Sequence, residues 1–233
     1  MLQASTFPKQ TPRIDGILVV NKPMGLTSHD VVQDVRRRFR MQQVGHAGTL
    51  DPLATGVLVV LLGKSTKLFN QFVDMDKAYR ATLVLGTATD SADIQGKVLR
   101  QLPYGHITRA EMEEVFKISA GETQQVPPMV SAVKVHGKKL YQLARKGIAI
   151  ERQARPIKIH SLDLKEFDPP QVKFYLECSK GTYVRQLAED VGKKLGCGAC
   201  ITQIERTKVG PFHIEEAVNL EEIDERHIRN WKG

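Results

Sequence analysis

Apolar residues along the chain come in two kinds of pattern. Residues 17–20 and 57–62 are uninterrupted apolar runs, short enough and sharply enough bounded to be buried strands. The first run ends in Asn21-Lys22-Pro23-Met24-Gly25, where proline and glycine stop it, and Thr27 with Asp30 three residues on forms a helix capping box. The helix that follows carries Val31, Val35 and Phe39 on one face. Between this helix and the second run, residues 45–56 (GHAGTLDPLATG) have no periodicity, three glycines and a proline, which predicts a structured loop between two buried elements.

Further along, residues 79–85 (YRATLVL) read as a strand broken at Gly86. Thr108 and Glu111 cap a helix bearing Met112, Val115 and Phe116 that closes near Gly121. The prolines in 126–135 (VPPMVSAVKV) force extension at its start, and residues 139–146 read as helical up to Gly147. Residues 157–164 and 172–178 read as strands. In the second, Val172, Phe174, Leu176 and Cys178 alternate with Lys173, Tyr175 and Glu177, so one face is covered and the other wet. Tyr183, Leu187, Val191 and Leu195 line a helix that stops at Gly196, with Thr182 as its expected N-cap. Strands and helices do not alternate strictly, so the expected fold class is α+β: a central mixed, largely antiparallel sheet flanked by helices and loops. Residues 1–13, polar with two prolines, read as a tail, and 14–233 as a single domain without repeats or low-complexity linkers.

Composition narrows the function. The 233 residues carry a net charge of +8 at 41% apolar content, too apolar for a disordered polycation, so a polyanionic partner is the first expectation. No apolar run reaches the ~18 residues that a bilayer demands, and the start of the chain has no signal-peptide core. Three cysteines leave one over in any pairing, which fits a reducing cytoplasm. Arg36, Arg37, Arg38 and Arg40 form one basic run and Lys134, Lys138, Lys139, Arg145 and Lys146 a second; each reads as a solvated face or as part of a nucleic-acid footprint. Aromatics total 6%, too few for a stacking platform, so recognition through backbone and shape is expected.

Candidate chemistry centres on the 45–56 loop. Asp51 lies in Gly48-Thr49-Leu50-Asp51-Pro52, where it either caps a turn or presents a carboxylate to a ligand brought close by the glycines. His46 is a base-stacking or proton-carrying residue, or a plain loop hydrogen-bonder. Lys22 is an ammonium at a sheet end or a solvated turn residue. Arg185 falls in the first turn of its helix, where the dipole disfavours a cation; it makes sense there if a carboxylate or phosphate stands opposite. Cys197-Gly-Ala-Cys200 lacks the second ligand pair that structural zinc needs, and no P-loop or dinucleotide fingerprint is present.

Taken together, GILVVNKPMGLTSHDVV, VGHAGTLDPLATGVLVVLLGKSTK, KAYRATLVLG, VPPMVSAVKVHGKKLYQLARKG, KGTYVRQLAEDVG and IERTKVGPF, in this order, resemble the bacterial TruB family of tRNA pseudouridine synthases. The resemblance implies a pseudouridine synthase fold, no cofactor and no metal, and the T-loop uridine of tRNA as substrate. It implies Asp51 as the catalytic aspartate, Tyr79 as the tyrosine stacking on the target base and Arg185 as the arginine paired with the aspartate. His46 would help hold the flipped nucleotide, Lys22 matches a motif of structural character, and Ile204 matches an apolar pocket residue. Gly48, Thr49, Tyr183 and Arg145 complete the expected RNA contacts. One departure stands out: the family's Leu-Arg-Arg is here Ile204-Glu205-Arg206. Only about twenty residues follow Phe212, helix-like and acidic, so the family's C-terminal PUA-type domain is expected to be absent and the footprint to centre on the T-arm. A cytoplasmic monomer without membrane association or an obligate protein partner is implied. The rival readings are a non-catalytic tRNA-binding factor, a guide-RNA-dependent rRNA modifier of the related group, and a glycoside hydrolase, which would want a second carboxylate.

Overall fold

The computed structural model describes residues 14–131, 134–135, 138–140, 148 and 150–231. Its elements in chain order are β1 (Gly16–Lys22), α1 (Ser28–Phe39), β2 (Val44–Ala47), β3 (Thr55–Leu62), α2 (Phe69–Val73), β4 (Lys77–Leu85), β5 (Thr87–Thr89), β6 (Val98–Gln101), α3 (Arg109–Ser119), β7 (Gly121–Gln125), β8 (Lys134–Val135), β9 (Lys138–Lys139), β10 (Arg155–Asp168), β11 (Gln171–Cys178), α4 (Val184–Lys194), β12 (Ala199–Val209), β13 (Phe212–His213) and β14 (Val218–Asn219). One sheet runs β14-β1-β3-β12-β4-β11-β10-β7, with β2 beside β3 and β13 beside β12. Among the described strands of this sheet β1/β14 and β3/β12 pair in parallel and the other pairs are antiparallel, so the mixed, largely antiparallel sheet expected from the sequence is the one observed.

The two apolar patterns mark two halves of this sheet. The continuous runs become β1 and β3, covered on both faces. On one face they join the cluster around α1 (Leu18, Val20, Val31, Val35, Leu58, Val60), and on the other the cluster of Ile17, Val19, Val57, Val59, Phe72 and Phe212. The alternating segment becomes β11, whose Val172, Phe174 and Leu176 pack with α3 and α4 while Lys173 stays exposed. Both capping boxes form, at Thr27/Asp30 and Thr108/Glu111.

Four readings are corrected. His46 lies on β2, opposite Val60 in register, because residues 44–47 find a partner in β3 that local periodicity does not reveal. The N-cap of α4 is Tyr183, which makes no side-chain cap, while Thr182 donates its hydroxyl to the Ser179 carbonyl at 3.0 Å. Lys139 sits in β9, and most of the helix expected after it lies outside the described residues. The acidic C-terminal stretch is strand β14 and short 3₁₀ turns rather than a helix; it seals the β1 edge, and Ile17 forms an isolated bridge with Arg229.

Candidate active site

Register places the site. Tyr79 and Ala81 on β4 stand opposite Arg206 and Ile204 on β12, and all four share the sheet face covered by α3 and α4. Ile204 packs against both the α1 cluster and the α3/α4 cluster, so it marks the seam between the halves. The loop carrying Asp51 descends into this seam. Ser28, at the start of α1, fastens it: its hydroxyl accepts from the Leu50 amide at 2.8 Å and donates to the Leu50 carbonyl at 3.1 Å. The Gly25 amide donates to the Pro52 carbonyl at 2.8 Å.

Asp51 is 41% exposed, and its Oδ2 accepts from Nε of Arg185 at 2.8 Å, a guanidinium only 4% exposed. That guanidinium is fully engaged: one terminal nitrogen donates to the Ser91 carbonyl and the other to the Val130 carbonyl, both at 2.7 Å, and Asp93 Oδ2 lies 3.6 Å away. Asp93 is buried in turn and accepts from the Ser91 hydroxyl at 2.8 Å and the Gln95 amide at 3.1 Å. Two carboxylates therefore face the cation that the helix dipole disfavours. Sequence reasoning missed Asp93, since Thr-Asp-Ser-Ala-Asp after Gly86 reads as a solvated turn; an acidic pair next to a strand end was the available signal.

Behind the loop sits Arg206, 2% exposed. Its Nε donates to the Val57 carbonyl at 2.8 Å and a terminal nitrogen donates to the Gly48 carbonyl at 3.0 Å, and its charge acts on the Tyr79 hydroxyl. Burial pulls Arg206 below the ordinary arginine range. Burial likewise pushes the Tyr79 phenol up to about 12, against the pull of Arg206. Gly48, at φ +83°, lets the loop turn over this guanidinium, and a Cβ on Gly56 would stand 2.3 Å from the Arg206 carbonyl oxygen, so β3 and β12 need glycine there to approach. Glu205, the departure from the family pattern, points to the opposite sheet face and pairs with Arg80 at 3.5 Å, away from Asp51.

Lys22 is fully buried rather than solvated. Its ammonium donates to the Pro23 carbonyl at 2.8 Å and the Leu26 carbonyl at 2.6 Å, shaping the turn before α1. Burial lowers its pKa to about 8, against the attraction of Asp51. The register of β2 puts His46, half-buried, on the α1 side with Val44 and Val60. Thr49 is exposed, Tyr183 half-buried, and Arg145 lies outside the described residues.

The first basic run is partly tied to the protein while three of its four members stay exposed: half-buried Arg36 donates to the Val44 carbonyl, Arg38 to the carbonyls of Glu221 and Ile223, Arg37 pairs with Asp34, and Arg37, Arg38 and Arg40 face solvent. The side chains of the second run lie outside the described residues. An open cleft of about 420 Å³ is lined by Met24, Thr55, Arg80, Lys173, Ile204 and Glu205 among others. Asp51, Tyr79 and Arg185 are not in its lining. By strand alternation the side chains of Arg80, Lys173 and Glu205 face away from Tyr79, so this cleft opens chiefly on the far side of the sheet. The three cysteines are buried thiols in the core, with Cys178 pushed up to about 12 by burial.

Residues 36–184 match the model of the TruB family pseudouridylate synthase N-terminal domain, and residues 185–231 that of the tRNA pseudouridylate synthase B C-terminal domain. The chain belongs to the TruB family. The family's two segments meet inside α4, and the second supplies α4 and β12, so both build the same sheet. A tRNA pseudouridine synthase B of Syntrophotalea carbinolica is 48% identical over 211 residues, covering 91% of this chain and 69% of the relative. One from Clostridium tetani is 45% identical over 218 residues, covering 94% and 75%. Among solved structures, a chain of a Cbf5–Nop10–Gar1 complex superposes with a TM-score of 0.70 at 30% identity, over 88% of this chain and 52% of that one. The fold is thus that of the pseudouridine synthases, isomerases of RNA uridine.

Proposed function

We propose that this TruB-family chain isomerises the T-loop uridine of tRNA to pseudouridine, in the cytoplasm, as a monomer and without a guide RNA or partner protein. The observation that carries the reading is the Asp51 carboxylate, exposed at the seam yet anchored on one oxygen by Arg185 at 2.8 Å. The reaction breaks the bond from N1 to the ribose C1′, joins C5 to C1′, gives N1 a proton and removes the proton from C5. Nothing is oxidised and no group is imported, so its balance calls for no cofactor. Asp51 acts at the sugar, as a nucleophile on C1′ or as a base toward the ribose. Arg185 leaves the second carboxylate oxygen to face the substrate. Tyr79, opposite Arg206 in register, offers its ring to the uracil and its hydroxyl to the final proton transfer. His46, Gly48, Thr49, Tyr183 and Arg145 would contact the RNA around the flipped nucleotide, and Ile204 would supply apolar surface for its base. Extruding that base costs a few kcal/mol, which phosphate contacts offset.

The test is tritium release from C5-labelled uridine in a bare T-arm stem-loop. Wild type should release it with no guide or partner added. Asp51→Asn should abolish release while binding persists; unchanged release in that variant would remove Asp51 from the mechanism. Turnover that needs a guide RNA would favour the rRNA-modifier reading instead.

A further inference from the structure

We infer that Gln125 is a positioning residue for Arg185, acting as a clamp on the backbone of Tyr183, the N-cap residue of α4; this rests on the function proposed above. The side chain of Tyr183 does not cap its own helix, and no acidic residue occupies the first turn. The amide of Gln125 instead holds the backbone of Tyr183 in place. Its Oε1 accepts from the Tyr183 backbone amide at 2.8 Å and its Nε2 donates to the Tyr183 carbonyl at 3.1 Å. That carbonyl also accepts the first helical hydrogen bond, from Leu187 at 3.0 Å, so both of its lone pairs are used.

The pairing has the form of a β-ladder step in which a side chain replaces one backbone, because a primary amide offers a donor and an acceptor at the spacing of a peptide group. Gln125 is 4% exposed, where unpaired polar groups are costly, and it is itself fixed as the last residue of β7, in register with Arg155 on β10. Five residues later the same segment returns to the site: the Val130 carbonyl accepts from Arg185 at 2.7 Å. The intervening Pro127-Pro128 stiffens the span. The end of β7 and its continuation thus grip both the backbone two residues before Arg185 and the guanidinium itself. Neither Glu, which cannot donate to the Tyr183 carbonyl, nor Asn, one methylene short, reproduces the pairing.

The experiment compares Gln125→Glu, Gln125→Asn and Gln125→Ala in the wild-type and Arg185→Lys backgrounds, with melting curves as a control for folding. In single-turnover assays on the T-arm, each variant should lower the rate roughly ten- to hundred-fold with tRNA binding unchanged, the scale of an ångström-sized misplacement. In the Arg185→Lys background the same changes should alter the rate less than about two-fold, since the residue they act through is gone. A loss of equal size in both backgrounds, or one confined to KM, would overturn the inference. Hydrogen exchange at the Tyr183 amide needs no substrate: it should accelerate in Gln125→Ala, and protection equal to wild type would overturn the inference whatever the enzyme's activity. Absence of tritium release from the wild type, by contrast, would count against the proposed reaction and leave the exchange result to decide the clamp.

Discussion

Arg185 occupies a helix start, where its charge is disfavoured, and is buried to 4% exposure, so its place must be secured by partners. It has four: Asp51, Asp93 and the carbonyls of Ser91 and Val130. A lysine there would keep the charge but lose the fork that serves three directions at once. Arg185→Lys is therefore expected to cost on the order of a hundred-fold in kcat with little change in KM, as read by single-turnover tritium release. Lys22 illustrates the opposite case, a cation buried without a hydrogen-bonded carboxylate among the described residues. Its pKa of about 8 in the fold lies below the 10.5 of a free lysine. Between those two values the unfolded chain holds the extra proton and the folded chain does not, so stability should rise with pH across this window through Lys22 and stay flat below it. Denaturant unfolding of wild type and Lys22→Met at about pH 7.5 and about pH 10 checks this. The stability difference should shift toward wild type at the higher pH, and a constant difference would remove Lys22 as the titrating group.

Elements carry the next level of organisation. The 48–54 loop between β2 and β3 is neither free nor self-supporting: Ser28 holds Leu50 from α1, Gly25 holds Pro52 from the turn after β1, and Arg206 holds Gly48 from β12. Ser28→Ala leaves the Leu50 amide and carbonyl in a buried place without their hydroxyl partner, at a cost of about 1–3 kcal/mol. Chemical denaturation should show that loss, together with a fall in kcat because the same loop presents Asp51. Much of the element pattern was legible in the chain. α1 and α3 carry capping boxes and a 3.6-residue apolar period, and β11 alternates; such signals are local and survive into the fold. β2, β7 and β14 carried none, since strands of two to five residues exist only through their neighbours. β12, the central strand that joins the two halves, interleaves Gln203, Glu205, Arg206 and Lys208 with its apolar positions, and that polarity hides it.

At the scale of the molecule, the sheet halves differ in how they are covered, and the site lies at their seam. The net charge of +8 provides attraction for RNA, and of the densest basic run Arg37, Arg38 and Arg40 stay at the surface with their charge, although Arg37 and Arg38 also have partners within the protein. Binding of a T-arm stem-loop should still weaken with salt. Raising it from about 50 to about 200 mM should cost at least about tenfold in affinity, the equivalent of roughly two neutralised phosphates. Titration by fluorescence anisotropy measures it, and a flat response would exclude phosphate contacts as the source of binding. The C-terminal segment belongs to this scale too: β14 and the Arg229 bridge close the β1 edge, while Trp231 packs on Phe72 and Phe212 at 5.2 and 5.4 Å between ring centroids.

The chain by itself determined the α+β class, the capped helices, the buried strand pair and the loop that carries Asp51, because each follows from contacts between residues close in sequence. It also offered Asp51, Tyr79 and Arg185 as candidates. The pairing of Asp51 with Arg185 it offered only through the family resemblance, and the other partners at the site it left open. Asp51 and Arg185 are 134 residues apart, Tyr79 and Arg206 belong to different strands, and Asp93 and Gln125 look like ordinary solvated polar residues until the sheet closes. Tertiary structure supplied their geometry and added Asp93 and Gln125, since a contact between distant segments depends on register and on burial, and neither is written in any local stretch of sequence.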